Sequence, residues 1–555
     1  MKDTVTIYCK KRNIYKDYPI GTTLLEILGD MNDCADGQVV AARVNYKTED
    51  LNFAVYKPKD IEFIDIKTSS GMRVYVRTLS IVLAKAIHDL FPTSRMRLEH
   101  PLSKGYFCKV TNLGHTITAE DINRIKKRMQ SLIDQNIPIL RQEKQGEEVI
   151  RLFREKNQMD KVLLLETLSR PYAEHYELEG FIDYYSGALL PSTGHLNIFD
   201  VIPYFDGLLL QTPNRSNPTE LEELVPQPKM YEIFNEFINW NGIMGIDNVG
   251  EFNLACREKK AFDLIKIAEA LHEKKIAGIA DRIINSIDKL RFIMISGPSS
   301  SGKTTFSKRL AVQLQVGGIS PIVLSLDNYF VNREQTPLDE NGEYDFESLY
   351  ALDLDFFNLQ LKQLLNGEEI DVPSFNFELG RREFKGEKLK LKPNNLLLME
   401  GIHALNPNLT PSISEETKLK VYVSALTTIS LDDHNWIPTT DNRLLRRIIR
   451  DYRYRGYSAQ QTIARWPSVR KGEDKWIFPF QENSDVMFNS ALIFELAVLK
   501  YYAEPILAEV PRNSEEYAEA HRLLKFLKYF LPVHDREVPP TSLLREFLGG
   551  SSFRY

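Results

Sequence analysis

The sequence predicts an α/β protein whose C-terminal half holds a parallel β-sheet with crossover helices, preceded by two smaller α+β modules. From residue 291 onward, short apolar runs alternate with helical stretches, which is the order that a parallel sheet requires. A glycine-rich loop of the form G-x-x-x-x-G-K-[ST] follows the first of those runs. Residues 1–67 instead show short alternating strands around one helix, which is typical of a small α+β module.

The composition limits the number of domains and the class of protein. A chain of 555 residues has material for about three or four domains, and its formal net charge of −6 argues against a non-specific nucleic-acid binder. Cys9, Cys34, Cys108 and Cys256 form no C-x-x-C pair and have no histidine at metal-ligand spacing, so we expect no disulfide framework and no structural zinc. The opening residues lack an apolar signal segment and no run of 18 apolar residues occurs, which favours a cytoplasmic protein without membrane contact.

The first module carries strand and helix signals over residues 1–67. The runs 4–8, 39–42 and 61–64 predict strands, and residues 21–28 open a helix. The pattern resembles the TGS domain at the front of threonyl-tRNA synthetases and some GTPases. That resemblance implies a ubiquitin-like α+β fold.

The next segment, residues 68–225, resembles the editing domain of threonyl-tRNA synthetase. The likeness is carried by residues 78–87, by Leu90-Phe91-Pro92, and by residues 180–183 and 191–195, and between them Thr118-x-x-Asp121 predicts the start of a helix. In the active family, H-x-x-x-H and C-x-x-x-H motifs bind a metal ion. The aligned positions here are Arg77, Ile81, Tyr185 and Leu189. None supplies an imidazole or a thiolate, so we expect the fold without the editing chemistry.

Residues 226–290 and 501–555 show helical patterns outside these modules. Apolar side chains recur at helical spacing in residues 261–268 and 279–287, which favours a packing scaffold, with a lever between the two halves as the alternative. The last segment carries a helical pattern from residue 517 to 530 and an apolar tail that we expect to dock.

The glycine-rich loop carries the clearest chemical signal in the chain. Its candidate nucleotide-contacting residues are Gly297, Pro298, Ser299, Ser300, Ser301, Gly302, Lys303, Thr304 and Thr305. The glycines let backbone N–H groups face phosphate oxygens, and the following helix N-terminus adds positive potential. Lys303 can then reach the β- and γ-phosphates while the Thr304 hydroxyl ligates Mg²⁺. The predicted sheet is therefore of the P-loop NTPase type.

Two acidic residues end neighbouring predicted strands. Asp327 follows the run 322–326, and Glu400 follows the run 396–399, with a fourth strand predicted at 419–423. Because ligands bind beyond the carboxyl ends of parallel strands, both should converge on the loop. Glu400 suits binding Mg²⁺, and Asp327 suits accepting the proton of a hydroxyl that is phosphorylated. Helix capping is the alternative for each.

Six motifs in order resemble the uridine–cytidine kinases of the phosphoribulokinase/uridine kinase family. They are GPSSSGKTT, LDNYF, YDFE, PSFNF, MEGI and an arginine series that ends at Asp451. They span about residues 291–500, and the fusion with a synthetase-like front resembles bacterial TGS-bearing uridine or nucleoside kinases. The motif order is specific for a small-molecule kinase and much less specific for the acceptor.

The resemblance implies a role for each matching position. Asp327 becomes the general base, while Lys303, Thr304 and Glu400 surround MgATP. The implied acceptor-side residues are Tyr329 and Phe330 in the pocket wall, Asp345 at the ribose hydroxyls and Phe375 at the base. The implied lid helix carries Arg443, Arg446, Arg447 and Arg450, with Arg446 taken as catalytic. Arginines suit this place because bidentate donors follow the charge of a transferring phosphoryl group.

Two departures leave the acceptor open. Gly380 stands where the relatives carry a histidine that reads the pyrimidine. His403, His434 and Trp466, the last two in segments without a counterpart in the small kinases, either rebuild a base pocket or serve the structure.

The sequence therefore predicts an ATP- and Mg²⁺-dependent nucleoside kinase that phosphorylates the 5′-hydroxyl of a ribonucleoside, uridine or cytidine first. The alternatives are a kinase for a purine nucleoside or a sugar phosphate, and an RNA- or tRNA-binding regulator that senses nucleotide. The predicted domains are 1–67 (TGS-like), 68–225 (editing-like), 226–290 (connector), 291–500 (kinase) and 501–555 (helical extension). We expect the N-terminal half to be a non-catalytic platform, and tRNA binding and homo-oligomerisation stay open.

Overall fold

The computed structural model describes residues 4–31, 37–340, 342–392 and 395–554. Cys34 and the three opening residues lie outside the described residues. In the part of the chain that is described, every helix is too short or too polar to cross a membrane.

The first module is a five-stranded sheet with one helix against it. Its elements are β1 (Thr4–Cys9), β2 (Ile14–Pro19), α1 (Leu24–Asp30), β3 (Val39–Val44), β4 (Lys47–Glu49) and β5 (Lys59–Asp65). The strand order is β2-β1-β5-β3-β4, in which β1 and β5 pair in parallel and the other neighbours antiparallel. Thr23 begins α1 through a capping box with Glu26, so the predicted helix start is confirmed.

The second module packs two antiparallel sheets around a long buried helix. Its elements are α2 (Ser69–Leu90), β6 (Arg95–Leu102), β7 (Gly105–Thr111), α3 (Ala119–Asp134), β8 (Leu140–Gln145), α4 (Gly146–Glu155), α5 (Met159–Leu168), β9 (Tyr172–Leu178), β10 (Phe181–Asp183), β11 (Asp200–Tyr204) and β12 (Gly207–Gln211). The predicted capping pair Thr118 and Asp121 forms a capping box on α3. Ile81, Tyr185 and Leu189 are buried in the apolar core around α2.

Three helices join this module to the C-terminal half: α6 (Pro228–Met244), α7 (Val249–Arg257) and α8 (Ala261–Ile284). The first half of α8 packs with α5 and α7 through Leu264 and Ile265. Its second half packs on the next sheet through Ile276 and Ile283. Both ends of α8 are therefore buried against neighbours, as a packing scaffold requires.

The C-terminal half is built on a parallel sheet with the strand order β14-β17-β13-β18-β19. Its elements are β13 (Phe292–Ser296), α9 (Lys303–Val316), β14 (Ser320–Ser325), α10 (Leu354–Leu365), β15 (Glu369–Asn376), β16 (Arg381–Lys390), β17 (Asn395–Glu400), β18 (Lys418–Ser424), α11 (Thr439–Tyr454), α12 (Ala459–Trp476), β19 (Val486–Asn489) and α13 (Glu495–Ala508). The four predicted strands are confirmed, and β19 is a fifth that the prediction lacked. The α/β fold class with this parallel sheet is confirmed.

The chain ends in a docked extension with α14 (Tyr517–Leu527) and α15 (Arg545–Leu548). Leu543, Leu544 and Phe547 are fully buried, so the tail docks as expected. A single apolar cluster joins α5, α7, α11, α13 and α14. The domain boundaries at residues 67, 225, 290 and 500 stay a prediction, because this core crosses three of them.

Candidate active site

The loop of residues 297–302 joins β13 to α9 at the carboxyl edge of the sheet. A Cβ atom on Gly297 would lie 1.9 Å from the carbonyl oxygen of Val423, so the neighbouring strand leaves no room for a side chain. Gly302 has a φ of +84° and begins α9 from the left-handed region. The two glycines of the motif are therefore required by the backbone path itself.

Lys303 and Thr304 extend from the first turn of α9 toward the ends of two strands. The Lys303 Nζ atom donates a hydrogen bond to the Pro298 carbonyl at 3.1 Å. Burial lowers the pKa of Lys303, against the opposing charges of Glu400 and Asp327. Thr304 Oγ1 donates to Glu400 Oε1 at 3.3 Å, so the structure brings these predicted residues together.

Two carboxylic acids of the site, Glu400 and Glu347, have raised pKa values. Burial, followed by the charge of Asp327, raises the pKa of Glu400 to about 7, although Ser325 donates a hydrogen bond to it at 2.9 Å. Burial also raises the pKa of Glu347 to about 7. The Oε2 atom of Glu347 is enclosed and makes no hydrogen bond within the described residues. Asp327 follows β14, whose last residue Ser325 lies beside Glu400 in the sheet, and its charge acts on Lys303, Glu347 and Glu400.

These acids suit a hard cation shared with a ligand. Among the described side chains, no three of the metal-binding types converge closely enough to hold an ion by themselves. Mg²⁺ is usually bound by one or two carboxylates together with substrate phosphates and water, and not by a cage of protein ligands. Thr304 and Glu400, which already touch each other, fit that mode of binding.

An aromatic wall lies beside the Asp327 turn. The rings of Phe330 and Phe375 lie 5.6 Å apart, and those of Phe375 and Phe377 lie 5.2 Å apart. The Arg455 guanidinium sits 5.0 Å from the centre of the Phe377 ring, and Asp327 acts on it electrostatically. This wall offers flat apolar faces next to charged groups, which suits a planar ligand.

Tyr329 and Asp345, both predicted to contact the acceptor, form hydrogen bonds within the protein. Tyr329 is buried, and its hydroxyl donates to Gln360 Oε1 at 2.8 Å, so its side chain faces the core. Asp345 Oδ1 accepts from the backbone N–H of Glu347 at 3.2 Å. Asp345 thus shapes the turn that carries Glu347, and Glu347 is the acid that joins the charges around Lys303.

Arg443 lies behind the loop in a buried ion pair. Its guanidinium pairs with Glu473, and its Nε atom donates to the Ser299 carbonyl at 3.0 Å. Arg443 also lies over the Trp466 ring, 5.4 Å from its centre. The Glu473 carboxylate in turn accepts from the Ser299 backbone N–H at 3.1 Å, which takes up one anion-binding donor of the loop.

Arg446 and Arg447 also support the loop from α11. Arg446 is fully buried, pairs with Glu495 at 2.5 Å and donates to the Ser490 carbonyl at 2.9 Å. Arg447 donates to the Ser299 hydroxyl at 2.8 Å. Both guanidinium groups bind protein oxygens, so this arrangement braces the loop.

A second carboxylate reaches the loop from the end of the chain. Glu546 Oε2 accepts from the Thr305 backbone N–H at 3.2 Å and from the Thr305 hydroxyl at 2.7 Å. The donors of the loop therefore have the geometry and chemistry of an anion site, and two of them hold carboxylates. A phosphate group would compete with a carboxylate for such donors.

The three candidates for a rebuilt base pocket, His403, His434 and Trp466, are buried side chains. Gly380 has a φ of +66°, and a Cβ atom there would come within 2.7 Å of Arg333 Nε. His434 is buried against Asp183 of the second module, with Nδ1 2.7 Å from Oδ2. Trp466 packs in an apolar core. Burial lowers the pKa of His403 to about 4. For His434 and Trp466 the contacts favour the structural interpretation.

Sequence reasoning missed four residues that meet this site: Glu347, Arg455, Glu473 and Glu546. Glu347 is the last residue of the YDFE motif, two positions after Asp345, so the sequence did contain a local signal for it. Glu546 lies 241 residues from Thr305, and no local pattern marks it.

The parallel sheet and the glycine-rich loop together define a P-loop domain, joined to a front half of a different kind. Residues 292–494 match the model of the Phosphoribulokinase / Uridine kinase family. The chain is 29% identical over 196 residues to a uridine kinase of Staphylococcus aureus (strain JH9), covering 35% of this chain and 85% of that protein.

The N-terminal half is similar to threonine–tRNA ligases. The chain is 31% identical over 188 residues to the enzyme of Syntrophomonas wolfei, covering 34% of this chain and 29% of the ligase. It thus spans less than a third of the length of that relative. Among solved structures, a possible uridine kinase from Bacillus stearothermophilus aligns at 20% identity with a TM-score of 0.26, covering 38% of this chain and 97% of that one.

Proposed function

We propose that this protein is an ATP-dependent nucleoside kinase that transfers the γ-phosphoryl group of MgATP to the 5′-hydroxyl of a ribonucleoside. The observation that carries the proposal is the convergence of Lys303, Asp327 and Glu400 at one edge of the parallel sheet, beside an aromatic wall. The family match of this region and the likeness to a uridine kinase support the same reaction.

Each charged residue has a defined task in this proposal. MgATP supplies the transferable phosphoryl group and the metal ion that screens its charge. Lys303 and the loop N–H groups bind phosphate oxygens, and Thr304 and Glu400 hold the metal ion. Asp327 accepts the proton that the acceptor hydroxyl loses. Arg443, Arg446 and Arg447 keep the loop in position through its carbonyl and hydroxyl oxygens.

The aromatic wall favours an acceptor that carries a base. Phe330 and Phe375 present ring faces and edges on which a nucleobase can stack. A sugar phosphate would leave these faces unused. Because Gly380 stands where the relatives carry a histidine, other groups must recognise the base. The likeness to a uridine kinase places uridine and cytidine first, and purine nucleosides stay the alternative.

A panel of acceptors tests the proposal. The full-length protein is incubated with MgATP and, separately, uridine, cytidine, adenosine, guanosine or a pentose phosphate, and products are separated by chromatography. We expect a nucleoside 5′-monophosphate from at least one nucleoside, with the pyrimidines fastest. Folded protein that phosphorylates none of the nucleosides would contradict the proposal. Preference for the pentose phosphate would instead favour the alternative, a kinase for a sugar phosphate.

For the N-terminal half, we propose a non-catalytic platform fixed to the kinase domain. Lys161 and Asp183 of the second module meet His434 of the kinase region in a buried network. Arg95 adds a bidentate pair with Asp433, at 2.6 and 2.7 Å. Binding of tRNA is the second candidate, supported by the likeness to threonine–tRNA ligases. Salt-dependent tRNA binding by the full chain at low ionic strength would favour it.

A further inference from the structure

The C-terminal segment, residues 535–554, lies directly on the phosphate loop. Glu546 accepts two hydrogen bonds from Thr305, one from the backbone N–H and one from the hydroxyl. Leu543 is fully buried, and its side chain lies 3.1 Å from where a Cβ atom of Gly302 would stand. The segment therefore covers both the glycine that begins α9 and the first turn of that helix.

The segment is a folded cap with its own internal bonds. Arg545 pairs with Asp535 at 2.6 Å and donates to the Val538 carbonyl at 2.8 Å. Phe547 lies under the Arg446 guanidinium, 5.1 Å from ring centre to Cζ. The cap thus connects the lid helix α11 to the loop that the lid braces.

Glu546 uses the donors that a phosphate would use. Backbone N–H groups at the start of such a helix bind phosphate oxygens, and a carboxylate offers the same negative charge and acceptor oxygens. A phosphate oxygen and the Glu546 carboxylate cannot both accept from Thr305 at 2.7–3.2 Å. Nucleotide and cap are therefore mutually exclusive at this position.

The two carboxylates on the loop differ in how firmly they are held. Glu473 is fully buried and pairs with both Arg443 and Arg470. Glu546 is half-buried, and within the described residues no lysine or arginine lies within ion-pair distance of it. Glu546 is consequently the less firmly held of the two carboxylates, although its charge acts on Lys303 and Lys308 at longer range.

We propose that the C-terminal segment is an internal competitor for the phosphate loop, so that binding of the nucleotide triphosphate displaces Glu546 and releases the segment from α9. This inference rests on the proposed function only in that the loop binds a nucleotide. The apparent nucleotide affinity is then the intrinsic affinity multiplied by the fraction of molecules in which the cap is open. By reciprocity, bound nucleotide must shift the equilibrium between closed and open cap toward the open form by the same factor.

The first test measures nucleotide affinity. A fluorescent, non-hydrolysable ATP analogue with Mg²⁺ is titrated into the wild-type protein, Glu546→Gln, Glu546→Ala and the control Glu515→Gln, an exposed carboxylate of the same C-terminal region. Because charge-assisted hydrogen bonds are the strong ones, we expect both Glu546 variants to bind about tenfold more tightly and the control to match wild type. Thermal melting confirms that each variant is folded.

The second test follows the cap itself by hydrogen exchange. In the wild-type protein without nucleotide, amides of residues 543–548 should be protected, and saturation with the analogue should increase their exchange while α14 stays protected. Glu546→Gln should show faster exchange of the same amides before any nucleotide is added.

The outcomes separate this inference from the function on which it rests. Equal affinity in all four proteins, weaker binding by the Glu546 variants, or unchanged exchange on saturation would overturn the competitor while the kinase stands. Failure of every protein, Glu546→Ala included, to bind the analogue would overturn the proposed function and this inference with it.

Discussion

Two buried groups of charged side chains lie in this molecule, and they are balanced differently. At the junction of the two halves, Lys161 and His434 are surrounded by Asp160, Asp183 and Asp432. Around the phosphate loop, Asp327, Glu347 and Glu400 share the charge of Lys303, and Arg447 acts on Glu347 as well. The first group links two parts of the chain, whereas the second lies at the edge of the sheet beside the phosphate loop.

The pKa values of Asp183 and of the loop acids express this difference, although burial raises the pKa of Asp432 at the junction to about 6. Burial alone would raise the pKa of Asp183, yet the charges of His434 and Lys161 bring it down to about 2. Burial raises the pKa values of Glu347 and Glu400 to about 7, because Lys303 does not offset it. Acids that stay poorly compensated inside a protein are characteristic of sites that bind or react, and paired ones are characteristic of structural contacts.

The largest effect is expected from Asp327→Asn. Removing the proton acceptor should lower the turnover of nucleoside by about a thousandfold, because general-base catalysis contributes roughly 10²–10⁴-fold. Nucleotide affinity should stay within about twofold of wild type, since Asp327 touches the acceptor side. Steady-state kinetics and titration with an ATP analogue measure the two quantities. Asp288→Asn, an exposed carboxylate, is the control, and full activity of Asp327→Asn would remove this residue from the site.

The next largest effect is a loss of stability, expected from Asp183→Asn at the junction of the halves. Asp183 is fully buried, and removing one partner of a buried ion pair costs about 3–5 kcal/mol because the remaining charge is uncompensated. Urea unfolding followed by circular dichroism measures the free energy of unfolding. Transfer activity per folded molecule should be retained, and its loss would show that the two charge groups are not independent.

A smaller, pH-dependent effect is expected from Glu347→Gln. The pKa of Glu347 is raised from 4.5 to about 7 in the folded protein, so its ionisation destabilises the fold progressively as pH rises from about 5 to 7. The glutamine does not ionise. The variant should therefore gain about 1–3 kcal/mol over wild type between pH 5 and pH 8, measured by urea unfolding without nucleotide. A stability difference that is constant with pH would contradict the raised pKa.

The smallest effect is expected from Arg95→Ala at the rim of the junction. The Arg95 side chain is 49% exposed although it contacts Asp433 at 2.6 Å, and exposed pairs contribute less than about 1 kcal/mol. Comparison with Asp183→Asn in the same unfolding assay measures how strongly burial affects the free energy of unfolding that is lost when an ion pair is removed. Equal losses in the two variants would show that exposure does not separate them.

Local patterns in the sequence predict four strands of the parallel sheet, the capping box of Thr118 and the phosphate loop, because neighbouring residues decide these features. They do not distinguish Asp345 from Glu347, since the turn between them determines which carboxylate reaches Lys303. The arginines of α11 were expected at the phosphates. Their buried partners Glu473 and Glu495, 30 and 49 residues further on, are brought to them only by the tertiary fold. Glu546 at Thr305 is the extreme case of such a distant contact.

The most direct test of the proposed site follows a labelled phosphoryl group. Full-length protein is incubated with γ-³²P-ATP, Mg²⁺ and either uridine or 5′-deoxyuridine, which lacks the accepting hydroxyl, and the products are resolved by chromatography. We expect labelled uridine 5′-monophosphate with uridine and no labelled nucleotide product with 5′-deoxyuridine. Label that appears only as inorganic phosphate, equally with both compounds, would contradict the assignment of Asp327 and its neighbours to phosphoryl transfer onto a nucleoside.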